Sequence, residues 1–155
     1  MSNLVGLGYD CHKIVKNRPL FLGGIQIDVK FGLKGHSDAD VVLHSICDAI
    51  LSAIGEPDIG ELFPNTDKKY KNISSKIIVE KVLKLMKEKK YKIVNIDVTL
   101  ICDTPKISKY KTQIIASIKN LFNIKHVNLK GKTTEGIKCF KNYIQCFSIV
   151  SVRNT

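Results

Sequence analysis

The sequence predicts an α+β fold, a small mixed β-sheet with helices packed on one face. Short segments alternate apolar and polar residues at the period of a half-buried strand, while longer ones repeat apolar residues at helical spacing. The two kinds intermix along 155 residues, 44% of them hydrophobic. A sheet of this size cannot leave both faces in water and still have a core, so helices must cover one of them. The length suits a single domain, residues 1–155, with little room for a second.

Residues 3–9 open the chain as a strand. Pro19 and Gly23-Gly24 mark turns, and across 25–31 the residues Ile25, Ile27, Val29 and Phe31 alternate with mostly polar neighbours, predicting a second strand. Asp38 or Asp40 caps a helix over 41–54, where Val41, Ile46, Ala49, Ile50 and Ala53 form a broad apolar stripe; Gly55 and Pro57 stop it. After a loop at 56–71, Ser74 or Ser75 caps a second helix carrying Ile78, Val82, Leu85 and Met86. Residues 93–102 make the clearest strand, with Ile96, Val98, Leu100 and Cys102 on one face, and Pro105 ends it. A third helix around 110–121 presents Ile114, Ile115, Ile118 and Leu121, and strands at 127–130 and 143–152 complete the chain.

Lys and Arg number 25 against 14 Asp and Glu, and the formal charge of +11 favours anionic partners without choosing nucleic acid over a nucleotide. Much of the excess lies in lysine-rich stretches at 68–92 and 106–125, where helices would present a solvated face. The strands lack interleaved aromatic and basic residues and the chain lacks zinc-finger spacing, so no nucleic-acid partner is expected. No apolar run reaches the roughly eighteen residues of a membrane span, and the first residues do not read as a secretory signal. Cysteines at 11, 47, 102, 139 and 146 show neither CxxC pairing nor the density of a secreted scaffold, which points to a reducing compartment.

Asp10 and His12 stand at the end of the first strand, and residues i and i+2 project to the same side. His44 on the next helix would add a third donor, giving the carboxylate and two imidazoles of a catalytic metal site with one position open. Zn2+ suits that set best, although Mn2+, Fe2+ or Co2+ would also bind it. Asp40, His44 and Asp48 recur one turn apart, so Asp48 or Asp40 would take the second ring proton of a ligand histidine. Before this helix, Gly35-His36-Ser37-Asp38 offers backbone N–H groups from Ser37 onward, and the side chain of His36 or Ser37, to phosphate oxygens. Lys132-Thr133-Thr134-Glu135 follows a strand, with Thr133 a phosphate donor and Glu135 a ligand for a hard cation. Asp58-Ile59-Gly60 offers a carboxylate beside a permissive backbone, suited to paired ribose hydroxyls.

Several ordered blocks together resemble the 2-C-methyl-D-erythritol 2,4-cyclodiphosphate synthase family. They are Gly8-Tyr9-Asp10-Cys11-His12, the run from Gly35-His36-Ser37 to His44, Asp58-Ile59-Gly60 through Asp67, the strand at 95–101 with Pro105-Lys106, and Thr133-Thr134-Glu135. The resemblance implies an enzyme that takes 4-diphosphocytidyl-2-C-methyl-D-erythritol 2-phosphate to the cyclic diphosphate and CMP. It implies Zn2+ on Asp10, His12 and His44, Mg2+ or Mn2+ on Glu135 with the substrate phosphates, and His36 and Thr133 acting on the reacting phosphates. Asp58 and Gly60 would contact the ribose or the erythritol part, and Phe63, Pro64, Asn65, Thr66 and Asp67 would line the substrate. The loop of Cys102, Asp103, Thr104, Pro105, Lys106, Ile107 and Ser108 would receive cytosine and its phosphate. The family also implies a homotrimer with active sites shared between neighbours and an apolar cavity on the three-fold axis. Its place would be the cytoplasm of a bacterium, or a plastid-type organelle for a trimmed eukaryotic chain.

One departure stands out. The family follows its Thr-Thr-Glu block with a longer run containing an arginine, whereas this chain reads Gly136-Ile137-Lys138-Cys139-Phe140-Lys141. Lys138 or Lys141 would replace the charge, without the planar bidentate contact of a guanidinium. A metal-dependent phosphohydrolase, which would release free phosphate, is the nearest alternative chemistry.

Overall fold

Gly6 and Gly8 set the distance between the two layers. They lie on β1 (Asn3–Lys16), which runs directly over α1 (Val41–Ala53). A Cβ on Gly8 would fall 1.8 Å from the Ser45 carbonyl oxygen, and one on Gly6 1.9 Å from that of Ala49. Only hydrogen at these positions lets the helix backbone approach so closely. Asp10 and His12 continue the same side of the strand, so the close approach carries them toward the helix.

The computed structural model describes residues 3–64 and 66–155. β1 is followed by the short strands β2 (Leu20–Leu22), β3 (Ile25–Ile27) and β4 (Phe31–Leu33). After α1 come the short α2 (Ile59–Leu62), α3 (Ser75–Glu88), β5 (Tyr91–Ile101), α4 (Lys111–Phe122), β6 (Val127–Lys132) and β7 (Tyr143–Asn154). The main sheet has the order β4-β1-β7-β5-β6, and β2 and β3 pair as a separate hairpin. β5 and β6 are parallel, joined through α4, and the other neighbours in the main sheet are antiparallel, so the sheet is mixed as expected.

Alternation along the strands divides the two faces. Ile96, Val98 and Leu100 of β5 and Ile144, Cys146 and Val150 of β7 are buried with Ile46, Ile50, Ile114 and Ile118 of the helices. The opposite face leaves Val5, Leu7, Tyr9, Phe147 and Ile149 exposed. Among the described residues, no helix is long and apolar enough to cross a membrane.

Two elements differ from expectation. The alternation over 25–31 is not one strand: the Val29 N–H turns back onto the Ile27 carbonyl at 2.9 Å, so β3 pairs with β2 while β4 joins the main sheet. β1 also runs past residue 9 to Lys16, because β7 pairs it as far as Lys13 and β4 takes up Ile14 to Lys16. Tertiary pairing, not local pattern, sets both limits.

Candidate active site

Asp40 anchors the helix that carries His44. It is fully buried, and its carboxylate accepts from Val42 N (3.1 Å) and Leu43 N (3.0 Å) at the helix start, and from Gly23 N (2.9 Å) and Gly24 N (2.6 Å) of the β2–β3 turn. Four donors satisfy a carboxylate that would otherwise be costly to bury. His44 then projects one turn later toward β1. Its Nδ1 lies 3.0 Å from Asp10 Oδ2, which is 2.9 Å from His12 Nε2, and the two ring nitrogens are 3.4 Å apart.

These three donors come from two elements and all lie within 4.8 Å of one another. A tetrahedral ion about 2.0–2.1 Å from each donor would hold them about 3.3 Å apart, so the cluster fits one such ion after small adjustments. Burial alone would push the Asp10 carboxyl up, but hydrogen bonds from His12 and His44 and their charge hold it below the usual carboxylate range. Burial likewise works against a charged His44, and the Asp10 carboxylate overcomes it and raises the imidazole. The carboxylate is therefore ionised and available to a cation at neutral pH.

A cleft of about 200 Å³ opens over this cluster. His36, Ser37, Ile59, Gly60 and Phe63, which the sequence assigned to substrate, line it, and so do Tyr70 and Ile73, which sequence reasoning did not single out, and Ile78, which it read only as part of a helix's apolar stripe. Phe63 and Tyr70 meet edge to face at 5.4 Å, and the Lys81 ammonium sits over both rings, 4.9 Å from Tyr70 and 5.4 Å from Phe63. The segment read as a plain loop at 56–71 thus contains α2, a 3-10 turn at Lys68–Tyr70 and an aromatic wall. Asp58 caps α2 through Glu61 N (2.9 Å). Pro64 and Asp67 are tied into the following turn, where Asp67 N donates to the Pro64 carbonyl at 3.0 Å, and Thr66 is exposed beside them. Asn65 lies outside the described residues.

The ring-proton acceptor expected at Asp48 or Asp40 is elsewhere. Asp40 is occupied by its four backbone donors, and Asp48 accepts from Ile59 N at 2.8 Å, which fastens α2 to α1. The partner of the His44 Nε2 is instead Ser75 Oγ, at 2.8 Å. Backbone donors expected to meet phosphate are also largely committed: Asp38 N bonds Ile73 O, Ala39 N bonds Ser37 Oγ and Asp40 N bonds Asp38 Oδ1. Ser37 itself is buried, with its Oγ 3.3 Å from His44 Nε2. The exposed His36 ring remains the accessible donor of this segment. Arg18 holds the segment in place by donating to the carbonyls of Gly35 (2.8 Å) and Ser37 (2.6 Å).

The remaining assigned residues line a second pocket, formed by Cys102, Pro105, Lys106, Ile107, Ser108, Lys132 and Thr133 with Gly131. Asp103 does not face a ligand: its carboxylate accepts from Thr134 N (2.9 Å) and Thr134 Oγ1 (2.7 Å), tying the 102–108 loop to the turn after β6. These two bonds from Thr134, with the Lys106 and Lys141 charges, lower the Asp103 carboxyl below its ordinary range. Thr104 is exposed beside Pro105. Thr133 Oγ1 donates to Glu135 Oε1 at 2.5 Å, so the phosphate donor and the carboxylate assigned to a second cation are paired with each other. The strand register puts Asp10, Cys146, Leu100 and Gly131 in one row, so the two clusters stand at the same end of the sheet, three strand spacings or roughly 14 Å apart.

Comparison with known proteins gives a consistent picture. The model of the YgbB family matches residues 4–153. A 2-C-methyl-D-erythritol 2,4-cyclodiphosphate synthase of Caldicellulosiruptor bescii is 52% identical over 135 residues, covering 86% of each chain. One of Aquifex aeolicus is 46% identical over 152 residues, covering 97% of each. Among solved structures, a synthase of the same name in a CDP-bound form matches with a TM-score of 0.90 at 30% identity, covering 96% of this chain and 99% of that one.

Proposed function

The chain belongs to the YgbB family, and from that premise we propose that it converts 4-diphosphocytidyl-2-C-methyl-D-erythritol 2-phosphate to 2-C-methyl-D-erythritol 2,4-cyclodiphosphate and CMP. The observation that carries this reading is the convergence of Asp10, His12 and His44 under an exposed His36 in a cleft. An oxygen of the 2-phosphate attacks the phosphorus farther from cytidine, a new P–O bond closes the ring, and the bond to the cytidine phosphate breaks as CMP leaves.

Two anionic ends of one molecule must meet, and their repulsion is the main electrostatic obstacle. Zn2+ on Asp10, His12 and His44, with Mg2+ or Mn2+ on Glu135 and the phosphates, would supply the opposing positive charge. The chain's own groups do the rest. His36 donates to a phosphate oxygen, and Thr133 leaves Glu135 to donate to another when substrate enters. Asp58, Ile59 and Gly60 hold the hydroxyl-bearing part at the cleft, against Phe63 and beside the 64–67 turn. The 102–108 loop with Lys132 and Thr134 shapes the cytidine pocket, and Lys141 supplies the charge of the family's missing arginine. Holding both ends removes most of the entropic cost of ring closure.

The two pockets are too far apart to act on one phosphate within a chain. We therefore read the working molecule as a homotrimer in which the metal cleft of one chain meets the cytidine pocket of its neighbour. The exposed sheet face supports this: Val5 (64% exposed), Leu7 (59%) and Ile149 (48%) form an apolar surface that a neighbour would cover. Each chain contributes one synthase domain, and a cytoplasmic setting follows if the source is bacterial.

Incubation with the diphosphocytidyl substrate under zinc and magnesium tests the function. Phosphorus NMR is expected to show CMP and cyclic diphosphate in equal amounts, and His44→Ala to lose zinc and to turn over at least 100-fold more slowly (an order-of-magnitude expectation, about 3 kcal/mol) while keeping its fold. Free phosphate as the product would instead indicate a phosphohydrolase.

A further inference from the structure

We propose that Ser75 and Asp38 form a hydrogen-bond relay behind His44 that fixes which ring nitrogen faces the metal. The inference rests on reading Asp10, His12 and His44 as a metal site. It concerns two residues outside that cluster, contributed by the first turn of α3 and the segment before α1.

An inventory of donors decides the direction of each bond. Asp38 accepts from Ser75 N at 2.9 Å, from Asp40 N at 3.2 Å and from the Ser75 hydroxyl in a short contact. A carboxylate receiving three donors is an acceptor only. The single hydroxyl proton of Ser75 therefore goes to Asp38, which leaves Ser75 Oγ to accept from His44 Nε2 at 2.8 Å. Ser37 Oγ lies farther from Nε2, at 3.3 Å, and a bare Nε2 would set its lone pair against the Ser75 oxygen at 2.8 Å, whose proton is already given to Asp38. The Nε2 must then carry a proton, so the proton that a cation would displace is the one on Nδ1, which donates to Asp10 Oδ2 3.0 Å away in the ion's absence. A cation would take that proton's place between the Nδ1 lone pair and the Asp10 carboxylate.

Burial gives the relay its force. Ser75 is fully buried and His44 nearly so, so neither can exchange its partner for bulk water. The N-cap of α3 is Ser74, whose side chain accepts from Lys76 N. Ser75 is thus free of capping duty, and Asp38 binds its backbone and its hydroxyl together. Ser75 and Asp38 are positioning residues: they touch no substrate, and act through the imidazole.

Zinc competition against a chelator, using the full chain, tests the relay. Ser75→Ala is expected to weaken zinc binding about 10- to 100-fold. Nitrogen-15 NMR of the zinc-loaded wild type is expected to show His44 with a slowly exchanging Nε2–H, and Ser75→Ala to lose that protection. Should Ser75→Ala fail to fold, the wild-type spectrum still decides the matter. A proton on Nδ1, a rapidly exchanging Nε2–H, or a Ser75→Ala affinity within twofold of wild type would overturn the relay while leaving the metal site standing. A wild-type chain that binds no zinc would overturn both.

Discussion

His44 is approached from both sides of its ring, by Asp10 on Nδ1 and by Ser75 on Nε2, and the two contacts fix the orientation of the imidazole in the candidate metal site. The grouping of Asp10, His12 and His44 was legible in the sequence because strand periodicity puts Asp10 and His12 on one side and the following helix supplies His44. Their outer partners were not. Asp38 and Ser75 are 37 positions apart, and only the fold brings the start of α3 against the loop before α1. Spacing along α1 pointed to Asp48 or Asp40, but Asp48 holds Ile59 and Asp40 holds four backbone N–H groups. Burial, and after it the nearby Asp58 and Asp10 charges, push the Asp48 carboxyl up to about 6 despite the Ile59 N–H. An unfolded aspartate titrates near about 3.9, so the folded state favours the protonated form. The stability from that preference is fully present below the unfolded value and is lost as pH rises through about 6. Asparagine stays neutral throughout. In metal-free protein, Asp48→Asn is expected to raise the melting temperature relative to wild type at pH 8 and to leave it unchanged near pH 4. Equal differences at the two pH values, by scanning calorimetry, would refute this.

At the scale of elements, the main helices and the strand face of β5 follow from periodicity, because burial on one side imposes it directly. Two helix caps were legible only as a choice between nearby residues: Asp40 and Ser74 fill the roles, while Ser75 turns to His44 and Asp38 binds Ser75. What periodicity could not supply was strand pairing, which split residues 25–31 between two sheets, and the structure of the 56–71 segment, whose α2 is fastened to α1 by a hydrogen bond from Ile59 N to the distant Asp48. Gly8 shows how an element serves the site. Its hydrogen allows β1 to rest on the α1 backbone, and Asp10 reaches His44 across that contact. Gly8→Ala is expected to destabilise the fold by about 1–3 kcal/mol, since the clash is with backbone that cannot rotate away. It is also expected to weaken zinc binding, because β1 and α1 must move apart. Chemical denaturation with a parallel zinc titration checks both, and unchanged values would show that the layers tolerate a wider gap.

For the whole molecule, the apolar sheet face and the separation of the two pockets have one joint explanation in the proposed trimer. A lone chain leaves Val5, Leu7, Tyr9, Phe147 and Ile149 in water and its two functional clusters on opposite strands of the sheet. Leu7→Asp is expected to yield monomers by light scattering, to retain zinc, and to lose turnover. A trimeric Leu7→Asp chain, or an active monomer, would contradict shared sites. In that proposed trimer the charge of +11 would draw a polyanionic substrate toward the clefts. The central claim is that one part of the substrate, not water, attacks another part. Turnover in water enriched in oxygen-18, with mass spectrometry of both products, tests it most directly. CMP and the cyclic diphosphate should each form without label; oxygen-18 in CMP, or in a linear phosphorylated product, would show that water is the nucleophile.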